Sequence, residues 1–177
     1  MAGADLAGEV STSKTYVVPS VGTKRFTVVA LDLGIKGMTP HRMAERGIEV
    51  HVIPSSATLE DVLAVNPDGV FMSNGPGDPS TADVSVGLLQ ELLTRRIPYF
   101  GICFGNQILG RALGTGTSTL KSGHRGSTQP VPARPPDQVQ APCHHQDCAI
   151  VAAPDGTVQP TTRLDRGHTC ALNSTGG

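Results

Sequence analysis

The sequence predicts a doubly wound α/β fold built on a mostly parallel sheet. Three observations carry that expectation. Apolar, β-branched runs alternate with helix-patterned segments four times between residues 26 and 113. Helix start and stop residues punctuate the segments between the runs. Aromatics are only 3% of the chain and Trp is absent, so the core must be aliphatic. Strands alternating with helices imply right-handed βαβ units and a sheet covered on both faces.

The elements follow in order. Residues 26–34 (FTVVALDLG) form a β-branched apolar run ending in Gly, as a buried parallel strand does. Residues 39–47 (TPHRMAERG) read as a helix with Thr39 as N-cap, Pro40 at the first helical position and Gly47 at the C-cap. Residues 49–54 are a second strand. Residues 58–65 are a helix opened by Thr58, with Asp61 three residues on, close to a capping box. Residues 68–73 are a third strand. The helix over 80–96 carries an apolar stripe of Val84, Leu88, Leu89, Leu92 and Leu93. Residues 97–103 are a fourth strand, and 104–113 a helix closed by Gly114. The first 25 residues are polar and rich in small side chains, and read as a linker with a short extended piece at 15–19. Beyond Lys121 the pattern gives way to Gly- and Pro-rich loops and short strands. No internal repeat is visible.

Bulk properties narrow the function. The 177 residues suffice for one domain, 26–177 here. A net charge of -1 gives no footprint for nucleic acid or an anionic membrane. The opening MAGADLAGEV has no secretory pattern, and no stretch is apolar enough to span a bilayer. A cytoplasmic location is therefore expected, with the four cysteines as thiols. Cys143 and Cys148 with His144 and His145 match no common zinc spacing, so no metal is expected.

Ligands in open α/β sheets bind beyond the carboxyl ends of the strands, which here means the turns 32–36, 73–78 and 103–107. The last contains the informative motif. GICFG at 101–105 has the form G-x-C-x-G at a strand-to-helix junction, the thiol counterpart of a nucleophile elbow. A sharp turn lifts the Cys103 side chain above the sheet. Flanking glycines are needed because a Cβ there would strike the neighbouring helix or strand. The helix starting at Phe104 directs its N-terminal dipole at the sulfur and favours thiolate. Backbone N–H groups at the same turn suit a developing oxyanion. The competing reading is an inert buried thiol. SNGPGD at 73–78 alone is an ordinary turn; beside an elbow on the next strand it becomes a candidate oxyanion strand.

SNGPGDP followed by GICFGNQILGRALG resembles the class I (triad) glutamine amidotransferases, a flavodoxin-like fold. LDLGIK at 31–36, NPDGVFMSNGPGDP and GHRGSTQPV at 123–131 resemble the small subunit of carbamoyl phosphate synthetase more closely. GADLAGEVST resembles the connector preceding this domain in that subunit. The good match runs from about residue 3 to 131.

The resemblance implies a thiol acyl transfer. Cys103 would attack the side-chain amide of glutamine and form a γ-glutamyl thioester. Gly75, Gly77 and Phe104 would line the oxyanion and substrate region, and Gln107 would contact the glutamine. Ammonia would pass to a large synthetase subunit that makes carbamoyl phosphate for the arginine and pyrimidine pathways. No cofactor is expected in this chain, which carries no P-loop; ATP and Mg would bind the large subunit.

Two departures accompany the match. The family's base is a His in a His-Pro-Glu segment near the end of the domain, and no such segment occurs here. A thiolate without its base loses ~10²–10⁴-fold in acid–base catalysis. The family's Asn-His-Gly-Phe segment falls on His145, Gln146, Asp147 and Cys148, where a carboxylate replaces a glycine. The chain is thus expected to be an interior piece of a longer protein, with 134–177 diverged and the C-terminal part of the domain incomplete. His124, His144, His145 and His168 are each expected to be surface or structural. An inactive fragment that keeps only fold or partner binding is the alternative. A different cysteine hydrolase on the same fold is the third reading; the loop at Gly75 and Gly77, with Gln107, argues against it.

Overall fold

The computed structural model describes residues 6–114, together with the backbone of six short strands at Gly116–Thr119, Val131–Ala133, Gln138–Gln140, Cys148–Val151, Thr162–Arg163 and Ala171–Leu172. The strands of the main sheet are β1 (Tyr16–Val18), β2 (Phe26–Asp32), β3 (Ile48–Pro54), β4 (Gly69–Met72) and β5 (Tyr99–Gly101). Their spatial order is β1-β3-β2-β4-β5. β3 pairs in parallel with β2 from Phe26 opposite Ile48 to Asp32 opposite Pro54. β4 pairs with the other side of β2, and β5 with β4, both in parallel. The chain therefore reverses its direction of travel between β3 and β4, which makes the gap between β2 and β4 the switch point of the sheet.

The helices are α1 (Leu6–Val10), α2 (Met38–Ala44), α3 (Leu59–Ala64), α4 (Asp83–Thr94) and α5 (Phe104–Ala112). Side chains alternate across a strand, and β2 divides accordingly. Val29 and Leu31 join Val62, Leu88, Leu89, Leu92, Ile108 and Leu109 in one cluster, which also takes Ala7 of α1. Ala30 joins Val18, Ala44, Val50, Val52 and Phe71 on the opposite face, under α2. Both faces are covered, as parallel strands require. Among the described residues, no helix is long and apolar enough to cross a membrane.

Several expectations need amendment. The extended piece expected at 15–19 is the edge strand β1, and the residues before it also form the short helix α1. β1 pairs antiparallel with β3, Val18 opposite Val50, and both Ala7 and Val18 are buried. Thr39 does not cap α2. The helix opens at Met38 after Gly37 with no side-chain cap, and the Thr39 N–H donates to the Lys36 carbonyl at 2.7 Å, inside the first turn. Pro40 is tolerated there because an N–H in the first turn has no helical acceptor. Residues 80–96 are not one helix. A 3-10 turn at Pro79–Thr81, capped by Asp78 through the Ser80 N–H, ends at Ala82, whose backbone is not helical. α4 starts after that break; its buried face is Ser85, Leu88, Leu89 and Leu92, while Val84, in its first turn, is 72% exposed.

The capping box at α3 is present. Asp61 N–H donates to Thr58 Oγ1 at 3.3 Å, and Thr58 N–H donates to the Asp61 carboxylate at 2.8 Å. Those Thr58 donors hold the Asp61 carboxyl below its ordinary value. Thr58→Ala should lower stability by about 1 kcal/mol in urea unfolding at pH 7. The Asp61 contribution is present above the ordinary carboxyl range and fades as pH falls through the lowered folded value. The gap between wild type and Asp61→Asn should therefore close on acidification; a gap that widens instead would contradict this assignment.

Candidate functional site

β5 ends at Gly101, and the chain turns into α5 within two residues. Ile102 N–H donates to the Met72 carbonyl at 3.1 Å, tying the turn to β4. Cys103 then adopts φ 55°, ψ -105°, outside the common basins for a residue with a side chain. Such a conformation costs on the order of 1–3 kcal/mol and persists only where surrounding structure dictates it. The dictating contacts are backbone ones. A Cβ on Gly101 would lie 2.6 Å from the Gly105 carbonyl carbon and 2.8 Å from the Asn106 nitrogen. A Cβ on Gly105 would overlap the Met72 carbonyl oxygen. The turn sits this close because Gly105 N–H donates to the Ser73 carbonyl at 3.2 Å. Cys103 is the N-cap of α5, its carbonyl accepting from Gln107 N–H at 3.2 Å. Cys103 as a residue is partly exposed. Cys103 thus stands at the N-terminal end of α5, where a helix dipole favours negative charge.

Tyr99 completes the underside. Its hydroxyl donates to the Gly105 carbonyl at 2.7 Å. Burial pushes the Tyr99 hydroxyl well above the ordinary tyrosine value, so it stays a protonated donor at any working pH.

The neighbouring loop after β4 is built from polar contacts. Ser73 is fully buried; its Oγ accepts from Leu33 N–H at 2.9 Å and donates to the Asn74 carbonyl at 2.8 Å. Asn74 Nδ2 donates to the Gly34 carbonyl at 2.9 Å. A Cβ on Gly75 would overlap the Leu33 carbonyl oxygen, and Gly77 has φ 104°. The 33–35 turn is in turn held by Asp32, which is 6% exposed. Its carboxylate accepts from Thr12 N–H at 2.9 Å, Gly34 N–H at 2.9 Å and Ile35 N–H at 2.7 Å. At the far end of the loop, Arg111 of α5 donates to the Pro79 carbonyl and to Asp83, both at 2.7 Å.

All three turns marked in the sequence thus meet at the carboxyl edge of the sheet. Cys103 lies beside the loop that carries Gly75 and Gly77. Phe104 is 1% exposed and lines, with Leu33, Thr12, Ser55 and Ser85, a cavity of about 440 Å³ over the ends of β2 and β3. Gln107 is 3% exposed, one helical turn behind Cys103. His124, His144, His145, His168, Cys143 and Cys170 lie outside the described residues, as do Gln146, Asp147 and the side chain of Cys148 in the segment aligned with Asn-His-Gly-Phe. Of the described histidines, His51 pairs with Glu49 and His41 is exposed on α2. Sequence reasoning did not find Asp32, Ser73, Asn74, Tyr99 or Arg111. Only Asp32 and the Ser-Asn pair stood in flagged turns, and nothing in their spacing named their partners.

Comparison with known proteins identifies the family and the fold. The profile of the family described as glutamine amidotransferase class-I matches residues 29–174. The carbamoyl phosphate synthase small chain of Streptomyces avermitilis is 62% identical over 171 residues, 96% of this chain and 45% of the relative. That of Streptomyces coelicolor is 60% identical over the same span, 96% and 45%. That of Corynebacterium diphtheriae is 60% identical over 131 residues, 74% and 35%. The chain thus spans under half the length of the curated relatives it matches. Among solved structures, a candidate GMP synthase component from Thermoplasma acidophilum superposes with TM-score 0.59 at 18% identity, covering 76% of this chain and 71% of that one. A glutamine amido transferase from Methylobacillus flagellatus superposes with TM-score 0.53 at 17% identity, covering 75% and 59%. These two likenesses show the fold alone.

Two alanine substitutions separate a glycine the site needs from one it does not. Gly105→Ala should cost roughly 1–3 kcal/mol or more in urea unfolding, because the methyl group meets strand backbone that has no room to move. Gly87, in α4, has open space around it. Gly87→Ala should be neutral or stabilising by about 0.4–1 kcal/mol. Equal effects at the two positions would contradict the close-packed turn.

Proposed function

The chain belongs to the class I glutamine amidotransferase family, and we propose that it carries the nucleophile of the glutamine-hydrolysing site of a carbamoyl phosphate synthase small chain. One observation supports this above the others. Cys103 is held in a strained backbone conformation at the N-terminus of α5, between two glycines that no larger residue can replace, beside the Gly75–Gly77 bend.

In this reading the Cys103 thiolate adds to the side-chain amide carbon of glutamine. The carbonyl oxygen gains charge, and the backbone of Gly75, Gly77 and Phe104 receives it. The C–N bond breaks as the nitrogen takes a proton and leaves as ammonia, giving a γ-glutamyl thioester. Water then attacks the thioester, releasing glutamate and restoring the thiol. Gln107 contacts the glutamine. Among the described residues, His41 on α2 and His51 on β3 are not at this turn and take no part in this reading. Ammonia passes to a large synthetase subunit, where ATP and Mg drive carbamoyl phosphate formation in the cytoplasm for the arginine and pyrimidine pathways.

A glutamine-like diazoketone tests the reading without requiring turnover. It should add to the Cys103 peptide, detected by mass spectrometry, and free glutamine should slow the addition. Cys103→Ala should abolish it. Addition that glutamine does not slow, or that persists in Cys103→Ala, would remove the glutamine site from this turn.

A further inference from the structure

We propose that Asp32 is a positioning residue for the glutamine site: its buried carboxylate fixes the 33–35 turn, and that turn fixes the loop at Ser73–Gly77 beside Cys103. The inference rests on the functional reading above and adds a residue which that reading does not assign.

The contacts form one continuous relay. Asp32 closes β2, and its carboxylate takes three backbone N–H groups, from Thr12, Gly34 and Ile35. Burying a carboxylate is costly unless its oxygens are occupied, and these donors occupy them. With Gly34 and Ile35 fixed, the peptide at Leu33 and Gly34 presents one donor and one acceptor to the next loop. Leu33 N–H meets Ser73 Oγ, and the Gly34 carbonyl receives Asn74 Nδ2. Gly75 rests directly on the Leu33 carbonyl, so the height of this turn sets the height of the bend. Ser73 passes the constraint on, because its carbonyl receives Gly105 N–H of the nucleophile turn. The Thr12 contact spans 20 residues and the Ser73 and Asn74 contacts 40 each, so the relay is tertiary. The bonds from Asp32 to Gly34 and Ile35 taken alone are a local Asx-type turn. What distinguishes the proposal is that the same turn carries the oxyanion loop.

A displacement of about 1 Å in a reacting group costs on the order of 10²-fold in rate. Asp32→Asn keeps the shape, but it sets an NH2 group against Thr12 N–H and, by removing the charge, weakens the two bonds from Gly34 and Ile35 that hold the turn. In this variant, the rate of Cys103 addition to the diazoketone should fall about 10- to 100-fold. The rate with iodoacetamide, which needs only an accessible thiol, should stay within about threefold, because no oxyanion geometry enters it. Ser73→Ala should act on the same relay, so the double variant with Asp32→Asn should lose less than the product of the two single losses. If Asp32→Asn unfolds at the assay temperature, Asn74→Ala breaks the relay nearer its exposed end and should give the same split between reagents. A wild-type chain that reacts with iodoacetamide but not with the diazoketone overturns the functional reading, and this inference with it. A wild-type chain that reacts with both, in which Asp32→Asn and Asn74→Ala slow neither reagent or slow both equally, overturns the relay alone.

Discussion

Backbone stacked on backbone at the carboxyl edge of the sheet is the constraint on which the rest of this structure depends. Gly75 lies on Leu33, Gly105 lies on Met72, and Gly101 faces the first turn of α5. No side chain separates the three turns, so their spacing is set by peptide groups, which are stiff. That stiffness is what sustains the unusual φ and ψ of Cys103. A side chain at any of these glycines would prise the turns apart and release the cysteine into an ordinary conformation. The parallel order of β2, β4 and β5 is the reason the three turns emerge on one edge at all.

Close packing of backbone brings a polar problem, since each buried N–H and C=O needs a partner. The molecule solves it with a few buried or half-buried side chains. Asp32 takes three N–H groups, Ser73 takes one and gives one, and Tyr99 supplies a hydroxyl to the Gly105 carbonyl. Burial keeps Tyr99 protonated, so that support does not titrate away. Arg111 works at the surface. Its contact with Asp83 is an exposed-side ion pair of small worth, since Asp83 is 80% exposed. Its bond to the Pro79 carbonyl matters more, because it pins the exit of the Gly-Pro-Gly bend to the nucleophile helix.

The sheet and helices between residues 26 and 112 were legible because β-branched runs, a capping box and terminal glycines all pointed the same way. The nucleophile turn was legible for a related reason: glycines at fixed offsets from a cysteine encode lack of space. Other features left no such mark. α1 is short and rich in small or polar residues, and only burial of Ala7 reveals it; the extended piece at 15–19 was legible as β1, but not its pairing with β3. Val84 fits the apolar stripe of its helix, but it stands in the first turn of α4, where it is exposed. Asp32, Ser73 and Asn74 look like common turn residues. Their importance lies in which turn each one touches, and partners up to 40 residues away are fixed by strand order and not by local pattern.

The most direct test of the account is a crystal structure of the chain after reaction with the glutamine-like diazoketone. The account predicts a carbon–sulfur bond at Cys103, with the adduct's ketone oxygen about 2.7–3.1 Å from a backbone N–H of Gly75, Gly77 or Phe104. An adduct whose oxygen faces solvent, with the bend turned away from it, would contradict the account.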